Sequence, residues 1–258
     1  MSAESADFTI ERFRRPSASL FALEPVRATT ELAMFAASMP LLHQVPYGDG
    51  RPVLVLPGFT AGDRSTEPLR WFLRDRGYDV FGWELGRNFG PSAKTVEGLL
   101  RRLAEVRGRC GEPVTLIGWS LGGVYARLLA ERMPLDVRHV LALGAPFRVA
   151  DTSDTNAGVL YRALSYVLES PPTDRLRTVP GYCGPPQVPS SSFYTHGDGV
   201  VPWESCVDDP GPFAENIEVC GSHMGLGHNP AVLRAIADRL RLAPGCFRPY
   251  AVPAARAA

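Results

Sequence analysis

The sequence predicts an α/β protein with a mostly parallel sheet wrapped by helices. Three observations carry this reading. Short apolar runs alternate with amphipathic stretches over residues 53–145, the repeated strand–helix order that builds a parallel sheet. The first run, Val53-Leu54-Val55-Leu56, is apolar at every position, as expected of a central strand covered on both faces. Near the end, two further short strands precede Asn229-Pro230, a helix start with Asn as cap and Pro at the first helical position.

Taken in order, residues 1–24 lack clear periodicity and are expected to form an arm over the surface. A helix is expected over 25–39, stopped by Pro40. The strand at 53–56 follows the Gly48-Asp49-Gly50 turn and ends at Pro57-Gly58. Ser65 and Thr66 are cap candidates for a helix with Leu69, Phe72 and Leu73 on one face, which Gly77 stops. Residues 78–83 read as a strand. Val96, Leu99, Leu100 and Leu103 repeat at helical spacing. Residues 114–118 read as a strand, and Leu121, Val124, Leu128 and Leu129 mark the helix after it. Another strand is expected at 137–143.

The rhythm then breaks. Residues 147–188 hold one helical stretch, 159–168, and a Pro/Gly-rich remainder, so they read as an insertion. Strands return at 191–195 and 217–220. Leu233, Ile236, Ala237 and Leu240 form the inner face of the last helix. No internal repeat is present.

Composition narrows the function classes. The 258 residues carry 27 basic and 27 acidic side chains, a net charge of zero. With no basic block, a nucleic-acid partner is not expected. The polar, acidic start lacks a basic segment followed by an apolar one, and the longest apolar stretch, 32–42, is far shorter than the roughly 18 residues of a membrane span. A cytoplasmic protein without a transmembrane segment is expected. The five cysteines are odd in number and form no Cys-x-x-Cys, which disfavours zinc and redox motifs. They read as free thiols, with a Cys206–Cys220 bridge as the alternative.

The strongest chemical signal is Gly118-Trp119-Ser120-Leu121-Gly122. Its Gly-x-Ser-x-Gly pattern alone is only suggestive, since about 0.15 chance matches are expected in such a chain. Its position raises the weight: the match lies where an apolar strand meets an amphipathic helix, as a nucleophile held on a sharp strand-to-helix turn requires. The other reading is a glycine-rich turn with Ser120 as a helix cap.

A serine nucleophile needs a base. Of His43, His139, His196, His223 and His228, His223 follows a strand end directly, which puts it on the same sheet edge as Ser120. His139 lies inside a strand, His43 has no motif, and His228 sits close to the last helix cap. Asp198, in His196-Gly197-Asp198-Gly199 after the preceding strand, is the candidate for orienting the imidazole. Asp151 and Asp174, in the insertion, are weaker candidates, and Asp208 and Asp209 lie farther from a strand end. An oxyanion needs two backbone donors; Leu121 N–H and Phe59 N–H, in Pro57-Gly58-Phe59-Thr60, are the candidates. The loop Gly86-Arg87-Asn88-Phe89-Gly90 could wall the pocket or lie in solvent.

At these residues the chain resembles the α/β-hydrolase superfamily, and within it bacterial lipases and esterases. The resemblance rests on Leu56-Pro57-Gly58-Phe59, Gly118-Trp119-Ser120-Leu121-Gly122-Gly123, Gly144-Ala145-Pro146, Gly197-Asp198-Gly199-Val200-Val201-Pro202 and Gly221-Ser222-His223, in the chain order serine, acid, histidine. It spans roughly residues 50–242. Pro57-Gly58 stands where this family usually has His-Gly. The resemblance implies hydrolysis of an aliphatic or lipid-like ester through an acyl-enzyme, without cofactor or metal. The expected division is an N-terminal arm and helix over 1–50, a hydrolase core over 51–146 and 189–258, and a cap or lid over 147–188. Trp119, Leu164 and Leu168 are the candidate substrate contacts. Acyl transfer or cofactor-free perhydrolysis would use the same triad, and a non-catalytic binding module would keep the fold without needing it.

Overall fold

The computed structural model of the chain describes residues 13–149, 154–158 and 184–251. Six strands form one sheet: β1 (Pro52–Leu56), β2 (Asp79–Gly82), β3 (Val114–Trp119), β4 (Val137–Leu143), β5 (Ser190–Tyr194) and β6 (Ala214–Glu218). Their spatial order is β2-β1-β3-β4-β5-β6, and every neighbouring pair is parallel. The order reverses at β1, which lies between β2 and β3. In open parallel sheets a ligand crevice forms at such a switch point, outside the carboxyl ends of the strands.

Helices cover both faces. α1 (Ala18–Ala37), α2 (Met39–Leu42), α3 (Glu67–Asp75), α4 (Ala93–Cys110), α5 (Leu121–Arg132) and α6 (Pro230–Leu240) are described in full. Alternation along β1 explains the continuous apolar run. Val53 and Val55 pack with Phe72, Leu73, Leu233 and Ile236 of α3 and α6. Leu54 and Leu56 pack with Leu99, Leu103, Tyr125 and Leu129 of α4 and α5. Each residue of the run therefore buries its side chain on one face or the other, worth about 1.5–3 kcal/mol apiece.

The helix ends follow local chemistry. Ser92 caps α4 by accepting from Thr95 N–H, and Gly111 ends it in a left-handed conformation (φ 75°), which costs a residue without a Cβ little. Asn229 caps α6 by accepting from Ala231 and Val232 N–H, with Pro230 at its first position.

The expectation for the N-terminal segment is corrected. Residues 18–24 are not part of a surface arm: α1 begins at Ala18, capped by the Ser17 hydroxyl on Leu20 N–H. Pro25 therefore lies inside the helix, where it removes a backbone donor at a cost of about 3 kcal/mol. Polar contacts from Glu24 and Arg27 to distant loops, described below, offset that cost. α1 ends at Ala37, ahead of Pro40, and Pro40 lies in the first turn of the short α2. Cys206 is buried, Cys220 is exposed and both are free thiols, so the alternative bridge is absent. Most of the expected cap, including Leu164 and Leu168, lies outside the described residues. Among those described, no helix is long and apolar enough to cross a membrane.

Candidate active site

The loops that leave β1, β3, β4, β5 and β6 all emerge at one sheet edge. The register sets this: Leu56 pairs with Gly118, Trp119 with Leu143, Leu143 with Phe193, and Tyr194 with Glu218. Phe59, Ser120, Gly144, Asp198 and His223 follow those strand ends and are gathered there.

Ser120 has φ 54° and ψ −123°, a strained conformation for an L-residue of the kind that clusters at active sites. Its side chain does not cap α5, so the helix-cap reading fails. The turn is as tight as the motif implies. A Cβ on Gly118 would lie 2.2 Å from the Gly122 carbonyl oxygen, and one on Gly122 2.2 Å from that of Leu56. Ser120 N–H donates to the Leu143 carbonyl at 2.8 Å, tying Ser120 to the end of β4.

His223 lies against the residue that follows Leu143. A Cβ on Gly144 would touch its ring at Nδ1, 3.1 Å away. Trp119, immediately before Ser120, donates its indole N–H to the His223 carbonyl at 3.0 Å. His223 Nδ1 is 2.6 Å from Asp198 Oδ2, with both residues 4% exposed. The second carboxylate oxygen, Oδ1, accepts from Val200 and Val201 N–H at 2.8 Å each. Asp198 is thereby fixed at both oxygens. Burial opposes the imidazolium form of His223, but the Asp198 charge, its hydrogen bond and the Glu24 charge outweigh it and raise the pKa above the ordinary 6.5.

The other candidates are occupied elsewhere. His139 Nε2 pairs with Ser191 Oγ at 3.0 Å inside the sheet; burial, then Arg239 and Arg138, push its pKa down to about 3, so it is a neutral core residue. His43 faces Asp75, and exposed His196 faces Glu218. His228 bonds the Ala28 carbonyl of α1. Asp208 is paired with Arg127 at 2.6 Å and Asp209 with Arg148 at 2.7 Å. Asp151 and Asp174 lie outside the described residues. Among those described, no group of three or more His, Cys, Asp or Glu is placed to hold a metal ion.

The candidate oxyanion loop runs beside Ser120: a Cβ on Gly58 would lie 3.9 Å from Ser120 Oγ. Leu121 opens α5, where a helix N-terminus favours negative charge. Asn88 braces the loop from the side. It is 1% exposed; its amide donates to the Pro57 carbonyl at 2.9 Å, and its backbone exchanges bonds with Thr60 N–H and the Ala61 carbonyl. Its side-chain oxygen accepts from Gly90 N–H and Tyr125 O–H. The 86–90 loop is thus joined to the site by a residue whose part sequence reasoning did not foresee. The flanking glycines after a strand end were the available signal. Glu24, Arg27 and Glu31 of α1, which bond the acid and histidine loops, were also missed. Their spacing of three and four residues on an otherwise uncharged helix was the trace they left.

No protein-family model matches the chain. Solved structures do resemble it. One, reported for LipS and LipT, two metagenome-derived lipolytic enzymes, superposes with a TM-score of 0.59 at 16% identity, over 76% of this chain and 95% of its own. Aspergillus fumigatus lipase B gives 0.57 at 15% identity, over 78% of this chain and 56% of its own. Bacillus licheniformis lipase BlEst2 gives 0.54 at 14%, over 76% and 94%. The parallel sheet, the strained serine at the β3–α5 junction and these superpositions converge on one architecture: the chain has the α/β-hydrolase fold.

Proposed function

We propose that the protein is a serine carboxylic ester hydrolase that works through Ser120, His223 and Asp198. The observation that carries the reading is the His223–Asp198 pair at 2.6 Å, tethered through Trp119, the residue beside a strained serine. A binding module has no need of that arrangement.

Each part then has a task. His223 Nε2 takes the Ser120 proton as Oγ attacks the ester carbonyl. Phe59 and Leu121 N–H groups stabilise the oxyanion, helped by the α5 N-terminus. The imidazolium, held by Asp198 at Nδ1–H, protonates the leaving alcohol. Water then attacks the acyl-enzyme by the same route. Trp119 serves this chemistry by holding the histidine loop, since its indole N–H is committed there.

Labelling by a fluorophosphonate, followed by nitrophenyl ester turnover, tests the class. A labelled protein that turns over esters supports the reading. Labelling without hydrolysis would point to acyl transfer, and no labelling to a binding module.

The raised His223 pKa has a consequence. The imidazole must be neutral to act as base, so kcat/KM is expected to rise with pH through a midpoint above the ordinary 6.5. A profile measured from about pH 5 to about pH 9 whose midpoint falls at or below 6.5 would contradict the buried ion pair.

The substrate class is an aliphatic or lipid-like ester. The lipases among similar folds support this, as does the apolar composition of Tyr161, Leu164, Tyr166, Val167 and Leu168 in the inserted segment. Each methylene buried adds about 0.8 kcal/mol, so kcat/KM is expected to rise from acetate to medium-chain esters and to lose that gain in Leu164→Ala and Leu168→Ala. A profile that peaks at acetate, or one that neither substitution alters, would remove this segment from specificity.

A further inference from the structure

α1 is built with its polarity inverted. Leu23, Val26 and Met34 face solvent, 51%, 64% and 52% exposed, while Glu24 is fully buried and Glu31 nearly so. A helix attached for packing alone would turn the other way, because a buried carboxylate is costly unless donors satisfy it. Here the donors all come from the two loops that carry the catalytic acid and base.

Glu24 Oε1 accepts from Gly199 N–H at 2.8 Å and from His223 N–H at 3.1 Å. Its Oε2 accepts from Met224 N–H at 2.8 Å. One carboxylate therefore joins the residue after Asp198 to His223 itself. One turn on, Arg27 donates to the Gly197 carbonyl at 2.7 Å and to the Gly221 carbonyl at 2.5 Å, again one bond to each loop. Another turn on, Glu31 accepts from the Ser222 backbone N–H at 2.7 Å and from its hydroxyl at 3.0 Å.

The loops are shaped to admit this helix. Gly197 and Gly199 do not have positive φ, so a left-handed conformation is not what requires glycine there. A Cβ on Gly199 would lie 2.6 Å from the Leu20 carbonyl oxygen, and one on Gly197 2.5 Å from Arg27 Nη2. A Cβ on Gly225 would fall on the Glu31 carboxylate. The glycines flanking the catalytic acid make room for α1.

We propose that α1 is a positioning element of the triad, in which the Glu24 carboxylate, supported by Arg27 and Glu31, holds the acid loop and the histidine loop in register and so sets the Asp198–His223 alignment. The proposal rests on the triad reading and deepens it. Charge contributes as well as geometry. Glu24 faces His223 and, at 3.8 Å, Arg27, and His223 faces Asp198 and Glu24. A carboxylate at this place favours the imidazolium that forms during catalysis.

Glu24→Gln and Glu24→Asp in the whole chain test it. The amide keeps the length but loses the charge and turns donors toward N–H groups. Glu24→Asp keeps the charge but is one methylene short of spanning both loops. Glu24→Gln is expected to fold and to lower kcat about 10–100-fold with little change in KM, the size of effect expected from a misalignment below about 1 Å. The acidic limb of its fluorophosphonate inactivation rate should move to lower pH. Glu24→Asp should lower kcat with the limb in place. NMR titration of the His223 imidazole reads the same shift without any turnover. A wild-type protein inert to the fluorophosphonate would refute the hydrolase reading, while the NMR shift would still decide the role of Glu24. Unchanged kcat and an unchanged imidazole titration in folded Glu24→Gln would overturn the proposal. If Glu24→Gln does not fold, Glu24→Asp decides: wild-type kcat overturns it, and a reduced kcat in a folded protein supports it. Failure of both to fold would make Glu24 a folding element only and also overturn it.

Discussion

Ser120→Ala is expected to lower kcat by about 10⁶-fold while the protein stays folded. Oγ is the only atom lost. The strained backbone, φ 54° and ψ −123°, belongs equally to alanine, and the Ser120 N–H bond to Leu143 does not involve the side chain. The residue left behind can still bind the ester and offer the oxyanion loop, so a rate of about 10³–10⁴ over water should remain. Circular dichroism and the melting temperature should match wild type, while fluorophosphonate labelling and any acyl-enzyme burst disappear. Ser120→Gly provides an internal check on the strain. Conformations of this kind cost an L-residue about 1–3 kcal/mol, and glycine loses roughly 0.5–1 kcal/mol through chain entropy, so Ser120→Gly should melt at or above the wild-type temperature with equal loss of activity. Near wild-type turnover in Ser120→Ala would make Ser120 a structural turn residue and remove the nucleophile.

The parts of this site that were legible in the sequence are those set by short-range constraints. A tight strand-to-helix turn needs small residues within a few positions of Ser120, and a buried parallel strand needs apolar residues on both faces, so β1, β3 and the turn between β3 and α5 left local traces. Asp198 and His223 could be placed because each follows a strand end in chain order. β6 was displaced, expected at 217–220 and found at Ala214–Glu218. Its polar start is compatible with a strand because Glu215 is buried against Ser191 and Arg239, partners that no local pattern reveals.

α1 was hidden for the same reason in stronger form. Pro25 interrupts its donors, and the face that packs inward carries Glu24, Arg27 and Glu31, so its amphipathic pattern points the wrong way. The groups that make this face favourable lie 170–200 residues away in the chain. Asn88 is similar: its partners Pro57 and Tyr125 are 31 and 37 residues distant. What sequence periodicity records is burial of apolar surface. Residues that align a catalytic group through backbone hydrogen bonds leave no period, only a charge or an amide out of keeping with its surroundings.

Asp198→Asn is expected to lower kcat by about 10⁴ with KM little changed, because the surrounding bonds dictate which way the amide turns. Oδ1 accepts from both Val200 and Val201 N–H. An amide nitrogen there would place donors against donors, so the amide oxygen must occupy that side. The NH₂ group is then left facing His223 Nδ1, where the Oδ2 atom of Asp198 stands at 2.6 Å. It can only donate, which makes Nδ1 the acceptor and puts the imidazole proton on Nε2, the nitrogen that must receive the Ser120 proton. The substitution thus preserves shape and hydrogen-bond count while selecting the wrong tautomer, and it removes the charge that stabilises the imidazolium. Melting temperature should change little compared with the loss of rate. Asp151→Asn and Asp174→Asn should be nearly silent in kcat. An Asp198→Asn protein that turns over esters at close to the wild-type rate, beside an inactive Asp174→Asn, would transfer the acid role to the inserted segment and leave the His223–Asp198 pair a structural one.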